Sequence, residues 1–108
     1  MSINNQNDEI TKVSKILKIN NNGDLSEINS DITNLSSSEV YLLISDKRQI
    51  SWLWIGNEST ELKKFVGNIK FKELTQKLGP QYKKVKLINQ KSFNQTIKEE
   101  NQLEHIIS

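Results

Sequence analysis

The sequence predicts an α/β (α+β) domain in which a central mixed sheet of about five strands lies between one long and one short helix. Residues 39–55 contain two strand-like segments, EVYLLIS and QISWLWI, which are apolar on both of their faces. A long helical segment follows them and ends at a Gly-Pro pair. A strand that is apolar on both faces belongs in the centre of a sheet, and helices must then cover both sides.

Length and composition limit the chain to one domain with a modest core. A domain of 108 residues buries roughly 65% of the surface that its unfolded chain exposes. Hydrophobic residues make up 34% of the chain, below a usual ~45–50% that also counts Gly, so they must be concentrated in a few elements. We expect residues 1–10 to be a disordered tail and residues 11–108 to form a single domain.

The composition also narrows the class of function. The chain has no Cys, which excludes disulfides, thiolate metal sites and a cysteine nucleophile. Fifteen basic and thirteen acidic residues nearly balance, which argues against a nucleic-acid partner. The one histidine, His105, has no evident partner, and no nucleotide-binding or hydrolase motif is present. We expect a non-enzymatic protein, monomeric and cytoplasmic, since no secretory signal or membrane-spanning run occurs.

Two hairpins are predicted before the helix. Residues 12–28 form the first, with KVSKILKI and DLSEI as strands and NNNGD as the turn. Asn22-Gly23-Asp24 resembles part of a calcium loop, but a hairpin turn uses the same residues. In the second hairpin, Trp52 and Trp54 should lie on one buried face of the sheet, and Leu53 and Ile55 on the other.

The long helix follows Gly56, which ends the strand. Ser59 is predicted to be the N-cap, and Glu61 lies in the first turn, where a carboxylate favours the helix dipole. The helix should end at Leu78, because Gly79-Pro80 is a strong stop signal.

Two further elements are predicted after the long helix. QYKKVKLI reads as the last strand, with Tyr82, Leu87 and in one alternative Val85 facing inward. Residues 92–107 should form a weaker helix on the other face of the sheet.

The order of these elements resembles the gelsolin-like domain of actin regulators of the gelsolin, villin and severin family. The resemblance covers roughly residues 12–90, and the matching residues are Leu35, Ser38-Glu39-Val40-Tyr41, Trp54-Ile55-Gly56 and Ser59. It implies actin binding, with the long helix inserted in the cleft between two actin subdomains. For a single domain it implies monomer binding, capping or weak severing of filaments. Vesicle-coat components carry gelsolin-like domains with structural contacts only, so an adaptor module that binds a non-actin protein is the alternative.

The predicted long helix carries two apolar stripes. Because each residue advances by about 100°, the stripes consist of Gly67, Phe71, Leu74 and Leu78, and of Leu62, Phe65, Val66 and Ile69. Alignment to the family pattern places the first stripe on the sheet, with Gly67 as a close-packing position. The second stripe then faces outward and, with Glu73 and Gln76, forms the partner-binding surface. The alternative is a helix that kinks at Gly67-Asn68, so that both stripes face the core.

The resemblance also implies a calcium site, which this sequence fills incompletely. Family members often use a backbone carbonyl and an acidic side chain at the start of the third strand, with a glutamate early in the long helix. Ser38 and Glu39 match the first two positions, but Lys63 stands at the third. An ammonium group cannot ligate calcium, so we expect no cofactor and an ion pair between Lys63 and Glu39. Glu61 lies two residues before Lys63 and could supply the missing ligand if the helix start shifts, so calcium binding remains the alternative.

A basic region surrounds the helix end and the last strand, and consists of Lys70, Lys72, Lys77, Lys83, Lys84 and Lys86. We interpret these lysines as a solvated face or as protection of a sheet edge against unwanted pairing. An acidic phospholipid surface is the second candidate partner of this region.

Overall fold

The computed structural model describes residues 13–88. The predicted N-terminal tail, the predicted short C-terminal helix and His105 lie outside the described residues. The elements in chain order are β1 (Lys15–Ile19), β2 (Leu25–Ile28), a 3-10 turn (Ile32–Asn34), β3 (Val40–Ser45), β4 (Ile50–Ile55), α1 (Glu61–Leu78) and β5 (Lys83–Leu87).

The strands form one mixed sheet, as predicted, in the order β2-β1-β3-β4-β5. Neighbouring strands are antiparallel except β4 and β5, which are parallel. Parallel neighbours need a long crossover connection, and α1 supplies it. The helix therefore connects β4 to β5 along the chain and lies on one face of the sheet, where it contacts β1, β3 and β4.

The first hairpin has the predicted turn. Gly23 has a φ of +91°, a conformation that Gly adopts without steric cost. The Gly23 amide donates to the Asn20 carbonyl at 2.9 Å, and the Asp24 amide donates to the Asn22 side-chain oxygen at 3.0 Å. The Asn-Gly-Asp sequence thus serves the turn with its own polar groups.

Apolar residues lie on both faces of the central strands, which confirms the prediction for β3 and β4. One cluster contains Ile16, Tyr41, Leu43, Ile50, Trp52, Trp54 and Leu87. The cluster on the helix side contains Ile19, Val40, Leu42, Leu53 and Phe71, and Ile55 packs against it. The rings of Tyr41 and Trp54 meet edge to face, with centroids 5.4 Å apart.

The helix approaches the sheet most closely at Gly67. A Cβ atom added there would lie 2.7 Å from Val40 Cγ1 and 3.4 Å from Leu53 Cδ1. Gly67 is therefore the predicted close-packing position, and its low helix propensity, about 1 kcal/mol worse than Ala, is the cost of that approach. The helix is continuous from Glu61 to Leu78, and Leu62, Phe65 and Ile69 are exposed. The alternative in which a break or kink at Gly67-Asn68 turns both stripes to the core is therefore wrong.

The helix begins one residue later than predicted. Thr60 is the N-cap, and its side chain accepts the Lys63 amide at 3.2 Å. Ser59 is buried and its hydroxyl donates to the Gly56 carbonyl at 2.6 Å instead. Ser59 therefore closes the turn that leads into the helix, and the capping function passes to its neighbour.

Tyr82 was predicted to lie in the last strand and to face inward, and it does neither. It precedes β5 and its hydroxyl donates to Asp46 Oδ1 at 2.7 Å, so it ties the start of β5 to the turn after β3. This hydrogen bond raises the pKa of Tyr82 above its ordinary value. Leu87 is buried and Val85 packs beside it on the tryptophan side of the sheet, as expected.

Gly67→Ala should destabilise the domain by about 1–3 kcal/mol, because the added methyl group overpacks the contact with Val40. In a Val40→Ala background the same change should be nearly neutral, which gives a coupling energy of about 0.5–3 kcal/mol in a double-mutant cycle. Urea unfolding of the four proteins measures both values. A Gly67→Ala protein that gains stability in the wild-type background would contradict the close approach.

Trp54→Ala should lower the free energy of unfolding by about 3–5 kcal/mol, because Trp54 is 2% exposed in a packed cluster. Leu25→Ala is the control, since Leu25 is 39% exposed on an edge strand. Thermal and urea denaturation should separate the two variants clearly. Equal melting temperatures would show that the tryptophan cluster does not hold the sheet together.

Candidate binding surface

The outward side of α1 exposes large apolar side chains. Leu62 is 56% exposed, Phe65 64% and Ile69 42%. Their spacing puts them on one face across successive turns, opposite the side on which Gly67 meets the sheet. Adjoining exposed apolar side chains of this size are typical of a surface that binds a partner.

Val66 departs from the predicted outward stripe. It is partly buried and packs against the cluster under the helix. It directly precedes Gly67, where the helix comes closest to Val40, so the close approach draws the Val66 side chain towards the sheet. Val66 therefore belongs to the border between the buried and the exposed sides of α1 and is not part of the exposed row.

The polar end of the predicted surface lies one to two turns further along the helix. Glu73 and Gln76 are both exposed. Glu73 Oε1 accepts a hydrogen bond from Lys70 Nζ at 3.4 Å. The outward face of α1 thus changes from apolar near its start to polar near its end, whereas contact of these residues with a partner stays a prediction.

The start of the helix is held by the loop before β3. The Gly56 amide donates to the Glu39 carbonyl at 2.9 Å, and the Glu58 amide donates to the Ser37 carbonyl at 2.8 Å. A Cβ atom at position 56 would collide with the Ser37 carbonyl. Gly56 is required here by this close approach of two backbone segments.

Lys63 and Glu39 form the predicted ion pair. Lys63 Nζ donates to Glu39 Oε1 at 2.5 Å, and the two side chains are only 15% and 21% exposed. The pair is therefore more than an ordinary surface contact, which contributes little. Ser38, the other residue of the incomplete calcium site, is exposed, and its amide donates to Ser36 Oγ at 3.2 Å.

Within residues 13–88, His, Cys, Asp and Glu side chains do not form a cluster of three that could hold a metal ion. Any calcium ion at the expected position would therefore have to be bound by Glu39, Glu61 and neighbouring carbonyl groups. Glu61 is engaged elsewhere, because its Oε2 accepts from Lys64 Nζ at 3.2 Å.

The predicted basic region is spread over two elements. Lys83, Lys84 and Lys86 are exposed on β5, which is an edge of the sheet, while Lys72 and Lys77 are exposed on α1. Lysines on an edge strand discourage pairing with other chains. In the part of the chain that the structure describes, no helix is long and apolar enough to cross a bilayer. Contact with an acidic lipid surface stays a prediction.

Sequence reasoning missed the loop that holds the helix start. Ser37 Oγ donates to Glu58 Oε1 at 3.1 Å across 21 residues of chain, and the Ser36 amide donates to the Tyr41 hydroxyl at 3.0 Å. The available signal was a run of small polar residues before β3 together with a Gly after β4. Nothing in that pattern specifies which of these groups pair.

Comparison with solved structures shows similarity to two Thorarchaeota proteins, whereas no protein-family model and no curated protein matches the chain. The first is ProGel, crystallised in a complex with rabbit actin, with a TM-score of 0.62 and 20% identity over 70% of this chain and 84% of that one. The second is 2DGel3, also crystallised with rabbit actin, with a TM-score of 0.56 and 26% identity over 72% of this chain.

The match to 2DGel3 covers 40% of the 2DGel3 chain, so this chain spans less than half of that protein. The ProGel match shows the fold over most of both chains. Both similar proteins are gelsolin-like, and the mixed five-stranded sheet with its long helix agrees with that fold. Residues 13–88 therefore have the gelsolin-like fold.

Proposed function

We propose that this domain binds actin or an actin-like protein through the outward face of α1 and thereby regulates filament assembly. The observation that carries the proposal is the exposed row of Leu62, Phe65 and Ile69 on the long helix. Support comes from the two similar structures, both of which are complexes with rabbit actin.

A helix that presents an apolar row to solvent is suited to an apolar groove. Helix-in-groove recognition uses anchors spaced three, four or seven residues apart on one face, and Leu62, Phe65 and Ile69 have that spacing. Phe65, the most exposed of them, is suited to be the main anchor, since aromatic residues commonly dominate binding energy. Glu73 and Gln76 form the polar rim on the same face.

The proposed mode is binding of actin monomers or capping of filaments, with weak severing as a third form. One helix face supplies one contact surface, which suffices to occupy a monomer or a filament end. We propose a binding role without catalysis.

An adaptor role towards a non-actin protein is the rival, because an apolar groove on another protein would fit the same three side chains. Polymerisation of pyrene-labelled rabbit actin separates the two roles. A regulator changes the rate or extent of polymerisation, while an adaptor leaves both unchanged.

We further propose that binding does not require calcium. The ammonium group of Lys63 lies against Glu39 Oε1, where it neutralises the carboxylate that would otherwise attract a cation. Calcium needs six to eight oxygen ligands, and the ammonium group of Lys63 supplies none at the helix position.

Ile69→Asp should leave the melting temperature nearly unchanged and lower the affinity for rabbit actin at least about thirtyfold, which corresponds to ~2 kcal/mol for an interface anchor. Ile88→Asp is the matched control, because Ile88 is 61% exposed and lies outside α1. Affinity is measured by fluorescence titration. An Ile69→Asp protein that folds and binds normally would contradict binding through the exposed row of α1. One that fails to fold would place Ile69 in the core.

Calorimetric titration of the protein with calcium should show no saturable heat at micromolar concentrations, because Lys63 already neutralises Glu39. A Glu39→Ala variant is the control for any heat that does appear. Stoichiometric calcium binding that disappears in Glu39→Ala would show that the site holds the ion despite the lysine.

A further inference from the structure

Polar contacts attach the first turn of α1 to the start of β3 and to the loop before it. The helix residues that pack on the sheet side are Val66, Phe71 and Leu74, and the closest approach is at Gly67. Leu62 and Phe65 precede all of these and are more than half exposed. The turn that carries two of the three exposed apolar side chains therefore lies before the apolar attachment of the helix begins.

Lys63 makes the side-chain contact that ties this turn to the sheet. Its Nζ donates to Glu39 Oε1, and both side chains are mostly buried. Glu39 directly precedes β3 and its carbonyl accepts the Gly56 amide at the end of β4. The backbone that carries this carboxylate is thus fixed between the two central strands. An ion pair that is largely removed from water holds its partners more firmly than an exposed one.

Lys64 provides the contrast within the same turn. Its Nζ bonds to Glu61 Oε2 at 3.2 Å, on the same helix, and the Glu61 side chain is 92% exposed. That pair joins two residues of one helical turn and does not connect the turn to a strand. Both lysines form ion pairs, but only the Lys63 pair joins the helix to the start of β3, while the Lys64 pair joins two residues of the helix itself.

We propose that Lys63 is a positioning residue for the binding surface: through its bond to Glu39 it sets where Leu62 and Phe65 lie, and so determines affinity as well as stability. This inference rests on the proposed function. Loss of the bond removes a fixed link between the first turn and the start of β3, and the partner must then order the turn on binding. Ordering at the moment of binding reduces affinity without removing any contact.

Lys63→Met should weaken binding to rabbit actin about tenfold, the loss expected for one charge-assisted hydrogen bond. Lys64→Met, the matched control, should bind within about twofold of wild type, because its ion pair is exposed. Tyr82→Phe is the stability control, since it loses a hydrogen bond to Asp46 at a site outside α1. All affinities are measured at a temperature at which circular dichroism shows each protein fully folded.

A double-mutant cycle with Glu39→Met tests the pair itself, because a Met side chain cannot accept the Lys63 hydrogen bond as the carboxylate does. If the bond positions the turn, Glu39→Met alone should lose about as much affinity as Lys63→Met, and the double variant should lose no more. Should Lys63→Met fail to fold, Glu39→Met carries the same test. Binding by Lys63→Met that equals wild type, or falls no further than in Tyr82→Phe, would overturn the inference.

Amide hydrogen exchange distinguishes failure of this inference from failure of the proposed function. In Lys63→Met, but not in Lys64→Met, the amides of residues 63–66 should exchange faster relative to those of residues 70–75. Unchanged exchange would overturn the positioning role whether or not the protein binds actin. If exchange responds as expected and the wild-type protein does not bind actin, the proposed function fails and the positioning of the turn stands.

Discussion

The rotation of α1 about its own axis depends on the contact at Gly67. Because this residue lacks a side chain, the helix backbone comes close enough for an added Cβ to meet Val40 Cγ1 at 2.7 Å. Once this side of the helix faces β3 and β4, the spacing of about 100° per residue turns Leu62, Phe65 and Ile69 towards solvent. The contact at Gly67 therefore favours one side of α1 as the buried side and leaves the opposite side exposed.

The central strands carry apolar side chains on both faces, and the contact at Gly67 belongs to one of them. The helix covers Val40, Leu42 and Leu53, while Trp52 and Trp54 pack on the opposite side of the sheet. Polar contacts complete the attachment where apolar ones are missing. At the helix start, the loop before β3 supplies carbonyl groups to Gly56 and Glu58, and Glu39 supplies its carboxylate to Lys63.

Much of this architecture could be predicted from sequence, because alternating and two-sided apolar patterns specify strands and a Gly-Pro pair specifies a helix end. The Lys63–Glu39 pair was also predicted, although from the family resemblance. The details that failed are tertiary in origin. Ser59 and Thr60 are adjacent and both suit a helix N-cap, and the nearby Gly56 carbonyl decides between them. Val66 lies at the border of two stripes, and the close approach at Gly67 decides its side.

The central claim is that the partner covers the start of α1, and side-chain footprinting with hydroxyl radicals tests it most directly. Among residues 13–88, the exposed large apolar side chains are Leu25, Leu62, Phe65, Ile69 and Ile88. They provide reporters both inside and outside the proposed surface. On addition of rabbit actin, labelling should fall at Leu62, Phe65 and Ile69 and stay unchanged at Leu25 and Ile88. Protection at Leu25 or Ile88, with Phe65 still labelled as in the free protein, would contradict the account.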